Sequence, residues 1–197
     1  MIFVWVNLVT YRFFLDRSND FMKFHVDSIS LYILLRIFGI RCKRESTVKF
    51  LNSRKFEYGE TLILGSYDAK YKFELLPFFN KQVYVTEELF TKIEQFSNIV
   101  ITISGGKQEF LAELIISRYP NKSIYCIGAA HQVLHNNGTN YYDKFGLNFF
   151  YFAILNPKRA YSKMRVTLFE FICILFNLKG RRTEFKKFIG EVLVKNS

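Results

Sequence analysis

The stretch from Asn98 to Gln132 most constrains what this chain can fold into. Ile99-Val100-Ile101-Thr102-Ile103 is a β-branched run that predicts a strand buried on both faces. Ser104-Gly105-Gly106 follows, a turn with almost no side chain in the way. Lys107-Gln108-Glu109 then opens an amphipathic helix with Phe110, Leu111, Leu114 and Ile115. Pro120-Asn121 stops it, and Ser123 to Gly128 predicts the next strand. Strand, glycine turn, helix, strand is a βαβ unit, which demands a parallel pair and a right-handed crossover. Two glycines at such a turn let a ligand approach the backbone, and the helix start presents N–H groups that suit a phosphate or diphosphate. Lys107 adds a point charge. The same residues also suit a plain crossover turn.

The preceding chain repeats the alternation. Ile2 to Leu8 predicts a first strand and Tyr11 to Phe24 a helix with a break near Ser18-Asn19. Ile29 to Ile40 predicts an apolar helix ended by Gly39. Thr61 to Gly65 predicts a second strand, Ala69 to Leu76 a helix closed by Pro77, and Gln82 to Val85 a third strand. Thr86 caps a helix over Glu87 to Phe96, with two acids in its first turn. This order predicts a mostly parallel sheet with helices on both faces, whose ligands collect beyond the C-terminal strand ends. Asp27, Gly65, Gly105, Gly106 and Gly128 fall at such ends. Asp27, just before a helix, suits an N-cap, and at a sheet edge it also suits a catalytic base.

Composition narrows the partner. The 197 residues carry a net charge of +11, which favours an anionic partner such as a nucleotide, a phospholipid headgroup or nucleic acid. No nucleic-acid-binding signature accompanies the charge. Cys42, Cys126 and Cys173 are scattered and predict buried free thiols, and His25, His131 and His135 make no zinc pattern. Met1 to Val9 is too short for a signal-peptide core. No run reaches the roughly 18 apolar residues of a membrane span.

After Gly128 the character changes. His131-Gln132 lies in a loop, where a histidine serves either as a hydrogen-bonded structural residue or as a base. Tyr141-Tyr142-Asp143 and Leu147 to Leu155 are aromatic-rich, as core residues are. Residues 156–197 hold ten Lys or Arg against three Glu. They predict a basic helical appendage to an α/β domain spanning residues 1–155. Val166 to Leu178, apolar with basic flanks, suits a helix on an anionic membrane surface and equally a core helix with a charged end.

In order and spacing the chain resembles the WecG/TagA/CpsF glycosyltransferases, glycosyltransferase family 26, and most closely their short polysaccharide-associated members. That family's Pro-Lys-Gln-Glu signature after a strand reads here Gly106-Lys107-Gln108-Glu109, following Gly105. Its small-residue segment reads Ile127 to Gln132, its Tyr-Tyr-Pro pattern Tyr141-Tyr142-Asp143, and its Pro-x-Arg motif Pro157-Lys158-Arg159. Its Asp-Gly motif falls on Asp27-Ser28. The resemblance covers roughly Ile2 to Phe176. Departures stand at Gly106 for proline, at Ser28 for glycine, and at Asn148-Phe149 and Tyr151-Phe152, where the family has Arg-Trp and Tyr-Arg.

The resemblance implies a Rossmann-like α/β fold and an inverting, metal-free transferase without a cofactor. It would move an N-acetylmannosamine-type sugar from a UDP-sugar to a lipid-diphosphate-linked acceptor, in capsule or exopolysaccharide biosynthesis. The site would be peripheral at the inner, cytoplasmic face of the cell membrane, with self-association allowed. Asp27 would be the base. Gly105, Gly106, Lys107, Arg159 and Arg165 would hold the diphosphate, and Gln108, Glu109, His131 and Gln132 would hold other parts of the donor. The departures motivate an alternative, a non-catalytic binding or scaffold subunit of the same pathway.

Overall fold

A computed structural model of the chain describes residues 1–15, 20–53, 56–65, 72–74, 78–79, 82–83, 85–103, 106–128, 154 and 157–193. Its elements are β1 (Ile2–Val6), β2 (Met22–Val26), α1 (Ile29–Ile37), α2 (Thr47–Ser53), β3 (Thr61–Leu64), β4 (Lys72–Glu74), β5 (Phe78–Phe79), β6 (Gln82–Val83), α3 (Glu87–Glu94), β7 (Asn98–Ile101), α4 (Lys107–Arg118), β8 (Ser123–Cys126), α5 (Pro157–Leu175) and α6 (Arg181–Phe188). The main sheet has six strands in the order β2-β1-β8-β7-β3-β4. The pairings β1–β8, β8–β7, β7–β3 and β3–β4 are all parallel. This is the Rossmann-like α/β class that the alternation predicts.

β3 is buried at every residue, and β7 and β8 at every residue but the first. A strand can bury consecutive residues only if both faces of its sheet are covered, which is why these strands read as unbroken apolar runs. In β7 and β8 the register matches Ile99 with Ile124, Val100 with Tyr125 and Ile101 with Cys126. Ile99, Ile101 and Ile124 are fully buried, and burial of each such side chain contributes about 1.5–3 kcal/mol.

The chain divides into two compact units. One comprises Met1–Val4, Phe21–Lys23 and Ser53–Gln132; the other comprises Trp5–Asp20, Phe24–Asn52 and Val133–Ser197. The C-terminal helices therefore share a unit with two N-terminal segments. Aromatic packing explains the grouping. Tyr11 meets Phe185 edge-on at 5.3 Å and Phe188 at 5.5 Å, and Phe38 meets Phe185 at 5.4 Å. The Tyr11 hydroxyl donates to buried Glu170 at 3.1 Å, and Arg181 pairs with Glu170 at 3.5 Å and Glu184 at 2.9 Å.

Several local expectations need correction. Tyr11 to Phe24 is not one helix: a 3-10 turn covers Tyr11–Phe14, and β2 begins at Met22. Asn7 starts the departure by accepting from the N–H groups of Val9 and Thr10 at 2.9 and 3.1 Å, an Asx turn that competes with helix. Lys72–Glu74 is a strand on β3 rather than part of a helix. Gln82–Val83 pairs antiparallel with Phe78–Phe79 in a separate small sheet, so it is no strand of the main one. α2 was not anticipated at all. Of the three thiols expected to be buried, Cys126 and Cys173 are, while Cys42 is half-buried.

Candidate functional site

The first unit carries its candidate site at the C-terminal ends of β3, β7 and β8. From β3 the chain passes to β4 on one side; from β7 it passes to β8 on the other. The connections diverge between β3 and β7, the switch point at which open α/β sheets bind ligands. Three glycines with positive φ stand just beyond these strands: Gly65 (107°), Gly106 (86°) and Gly128 (54°). A Cβ on Gly65 would lie 2.5 Å from Ile103 Cγ2 and 3.1 Å from Thr102 Oγ1. Thr102 is itself pinned, since its N–H and hydroxyl both donate to Leu64 O at 3.0 Å.

Gly106 is the N-cap of α4, and its N–H donates to Glu109 Oε2 at 2.5 Å. Glycine has no side chain to return the bond, so this is half of a capping box, with the acid in the turn the helix dipole favours. Gln108 Nε2 donates to Glu109 Oε1 at 2.8 Å, and Gln108 Oε1 accepts from Gly128 N–H at 3.0 Å. A chain of bonds thus runs from the turn after β8, through Gln108 and Glu109, to the turn after β7. Both side chains are buried, with Glu109 only 2 % exposed. Burial holds the Glu109 carboxyl above the usual carboxylate range, opposed by its bonds from Gln108 and from main-chain N–H groups. Lys107, at the first position of α4, is half-buried.

The bare amide expected at Gly106 is therefore not bare, because the Glu109 carboxylate sits on it. Gln108 and Glu109, expected to touch a donor, have their bonds directed at the protein's own turns. Gly105, His131 and Gln132 lie outside the described residues, as do Tyr141-Tyr142-Asp143. Arg165 is exposed on α5; Arg159 belongs to the same helix.

Asp27 belongs to the second unit, beyond the end of β2. It does not cap α1: that cap is Ser28, whose Oγ accepts from Leu31 N–H at 3.2 Å. Instead Asp27 Oδ1 accepts from the N–H of Thr47 at 3.0 Å and from its hydroxyl at 3.2 Å, at the start of α2. Arg44 Nε donates to the Asp27 carbonyl at 3.0 Å, and Val26 bridges to Arg44 in parallel. The carboxyl group is held in one orientation by contacts about 20 residues downstream. Nearby, His25 Nδ1 lies 2.6 Å from Glu45, and its ring stacks on Trp5 at 5.0 Å.

Sequence reasoning missed Thr47 and Thr102. The signal for Thr102 was a threonine at the end of an otherwise aliphatic strand. Among the described residues, no group of three His, Cys, Asp or Glu is placed to hold a metal ion. No helix among them is long and apolar enough to cross a membrane.

The fold and the glycine-lined strand ends define a parallel α/β protein of Rossmann-like class with a switch point between β3 and β7. No family model, curated protein or solved structure matches the chain.

Proposed function

We propose that this protein is an inverting glycosyltransferase that moves a sugar, of N-acetylmannosamine type or related, from a UDP-sugar to a lipid-diphosphate-linked acceptor. It works peripherally at the cytoplasmic face of the membrane, in capsule or exopolysaccharide synthesis. The observation that carries this reading is the switch point between β3 and β7, where the connections diverge at the C-terminal strand ends. Open parallel sheets bind ligands at such a place, and Lys107 opens α4 beside it. The motif order from Asp27 to Arg159 adds the reaction class.

The chemistry needs three things. A base takes the acceptor hydroxyl proton, and Asp27, held by Thr47, is assigned that role. The freed oxygen attacks the anomeric carbon from the face opposite the leaving group, which inverts the centre. The bond to UDP breaks, and Lys107 at the start of α4 balances the charge on the departing diphosphate.

A second reading, a non-catalytic binding or scaffold subunit, is favoured by one observation. The Gly106 N–H already has a carboxylate acceptor in Glu109, where a transferase would offer it to phosphate. Calorimetric titration with UDP separates the two. Saturable binding supports the enzyme, and its absence at millimolar UDP supports the subunit. Turnover is scored as UDP release from a panel of UDP-sugars with a lipid-diphosphate acceptor analogue.

A further inference from the structure

We infer that the outward face of α5 is a docking surface for an anionic lipid bilayer, and that the basic tail after it is not. The inference deepens the proposed function by naming the contact surface, and it rests on that reading only for which membrane is met.

α5 is apolar on two opposite sides. One side carries Ala160, Cys173 and Ile174, all buried. The other carries Met164, Leu168, Tyr161, Ile172, Phe176 and Phe169, which at about 100° per residue occupy an arc of about 140° along the helix and its C-terminal turn, with the exposed cations Lys158 and Arg165 inside the same arc. These residues are exposed: Phe176 by 71 %, Tyr161 by 64 %, Leu168 by 58 % and Phe169 by 55 %. A helix that packs one apolar face and exposes a second presents a surface that favours a further apolar contact. α1, which packs against α5 within the same unit, repeats the pattern with exposed Ile29, Ile33 and Ile37.

Charge selects the occupant. α5 holds four cations, Lys158, Arg159, Lys163 and Arg165, and one acid, Glu170. That acid is buried and engaged with Tyr11 and Arg181, so the exposed part of the helix presents no negative charge. α1 contains Arg36 and no acid. Two copies paired through this face would set like charges against each other. A bilayer with anionic headgroups takes the apolar row into its interfacial zone and pairs the cations at its surface. α6 lacks such a row: its Phe185 and Phe188 are fully buried, as is Val192 in the turn beyond it.

The test is co-sedimentation of the full chain with vesicles of phosphatidylcholine containing about a quarter phosphatidylglycerol, without any sugar donor or acceptor. The expected result is partitioning that weakens with salt and falls about tenfold or more in the double variant Phe169→Ser/Phe176→Ser. Both side chains are exposed, so the urea midpoint of that variant stays near that of the parent. A Tyr161→Ser/Leu168→Ser variant repeats the loss from the other end of the row. Lys186→Ser/Lys187→Ser, which removes two charges from α6, weakens binding by less. The inference is overturned if vesicles are not bound, if the aromatic variants bind as the parent does, or if sedimentation velocity shows a dimer that the same variants dissolve. UDP titration is done without lipid, so a failure of the docking surface and a failure of the transferase reading are separately visible.

Discussion

Replacing Gly65 by alanine tests the geometry of the switch point directly. Two independent costs arise. A Cβ at φ 107° is in a region L residues rarely adopt, which costs about 1–3 kcal/mol. The same Cβ would meet Ile103 Cγ2 at 2.5 Å and Thr102 Oγ1 at 3.1 Å. Ile103 is buried and its β-branched side chain is stiff at χ1, and Thr102 is bonded to Leu64, so neither gives way freely; overpacking of this kind costs about 1–3 kcal/mol. The expected loss is about 2–6 kcal/mol, against a typical domain stability of about 5–15 kcal/mol. Urea unfolding reads it as a midpoint lowered by about 1–2 M at unchanged slope. Gly59→Ala is the control, because nothing lies within 4 Å of its added methyl group, and it stays within about 0.5 kcal/mol of the parent. Gly65→Ala combined with Ile103→Ala recovers the steric part and leaves the backbone part, so the pair is non-additive. A Gly65→Ala protein as stable as the Gly59→Ala control would refute the close approach of β3 and β7 ends.

Four further variants act on named contacts. Glu109 has a folded pKa above its unfolded value, so its contribution is full below the unfolded pKa and is lost as pH rises through the folded one; Glu109→Gln removes that fall, as stability against pH will show. Tyr11→Phe deletes the bond to Glu170 and costs about 1–3 kcal/mol in denaturant titration, and in the parent the Tyr11 hydroxyl ionises above the usual tyrosine range because of burial and Glu170. Asp27→Asn keeps an acceptor for Thr47 and keeps the fold while abolishing sugar transfer, and full activity would remove Asp27 from the mechanism. Asp27→Ala, which also removes the acceptor, costs about 1 kcal/mol of stability.

The glycine turn shows how much was legible. A β-branched run, two glycines and an amphipathic helix can bury their apolar residues in few ways, and β7, α4 and β8 stand where they were read. Thr86 likewise caps α3, its hydroxyl accepting from Leu89 N–H at 3.2 Å. Local signals sufficed there because the partners lie within four residues of one another. Asp27 shows the opposite. Its neighbour Ser28 could take the local cap, so the aspartate went to Thr47, a choice no short window contains.

The amino-acid order by itself determined a parallel α/β sheet, since consecutive buried strands separated by a helix admit little else. It also determined that charge gathers in the last fifth of the chain. Tertiary structure alone decided that the Glu109 carboxylate covers the Gly106 amide. It decided too that α6 turns its phenylalanines onto Tyr11, and that α5 is left with a second apolar side facing outward. Each of those outcomes depends on which of several chemically equal partners comes within reach, and distance in space is settled by packing, which hydrophobic periodicity cannot convey.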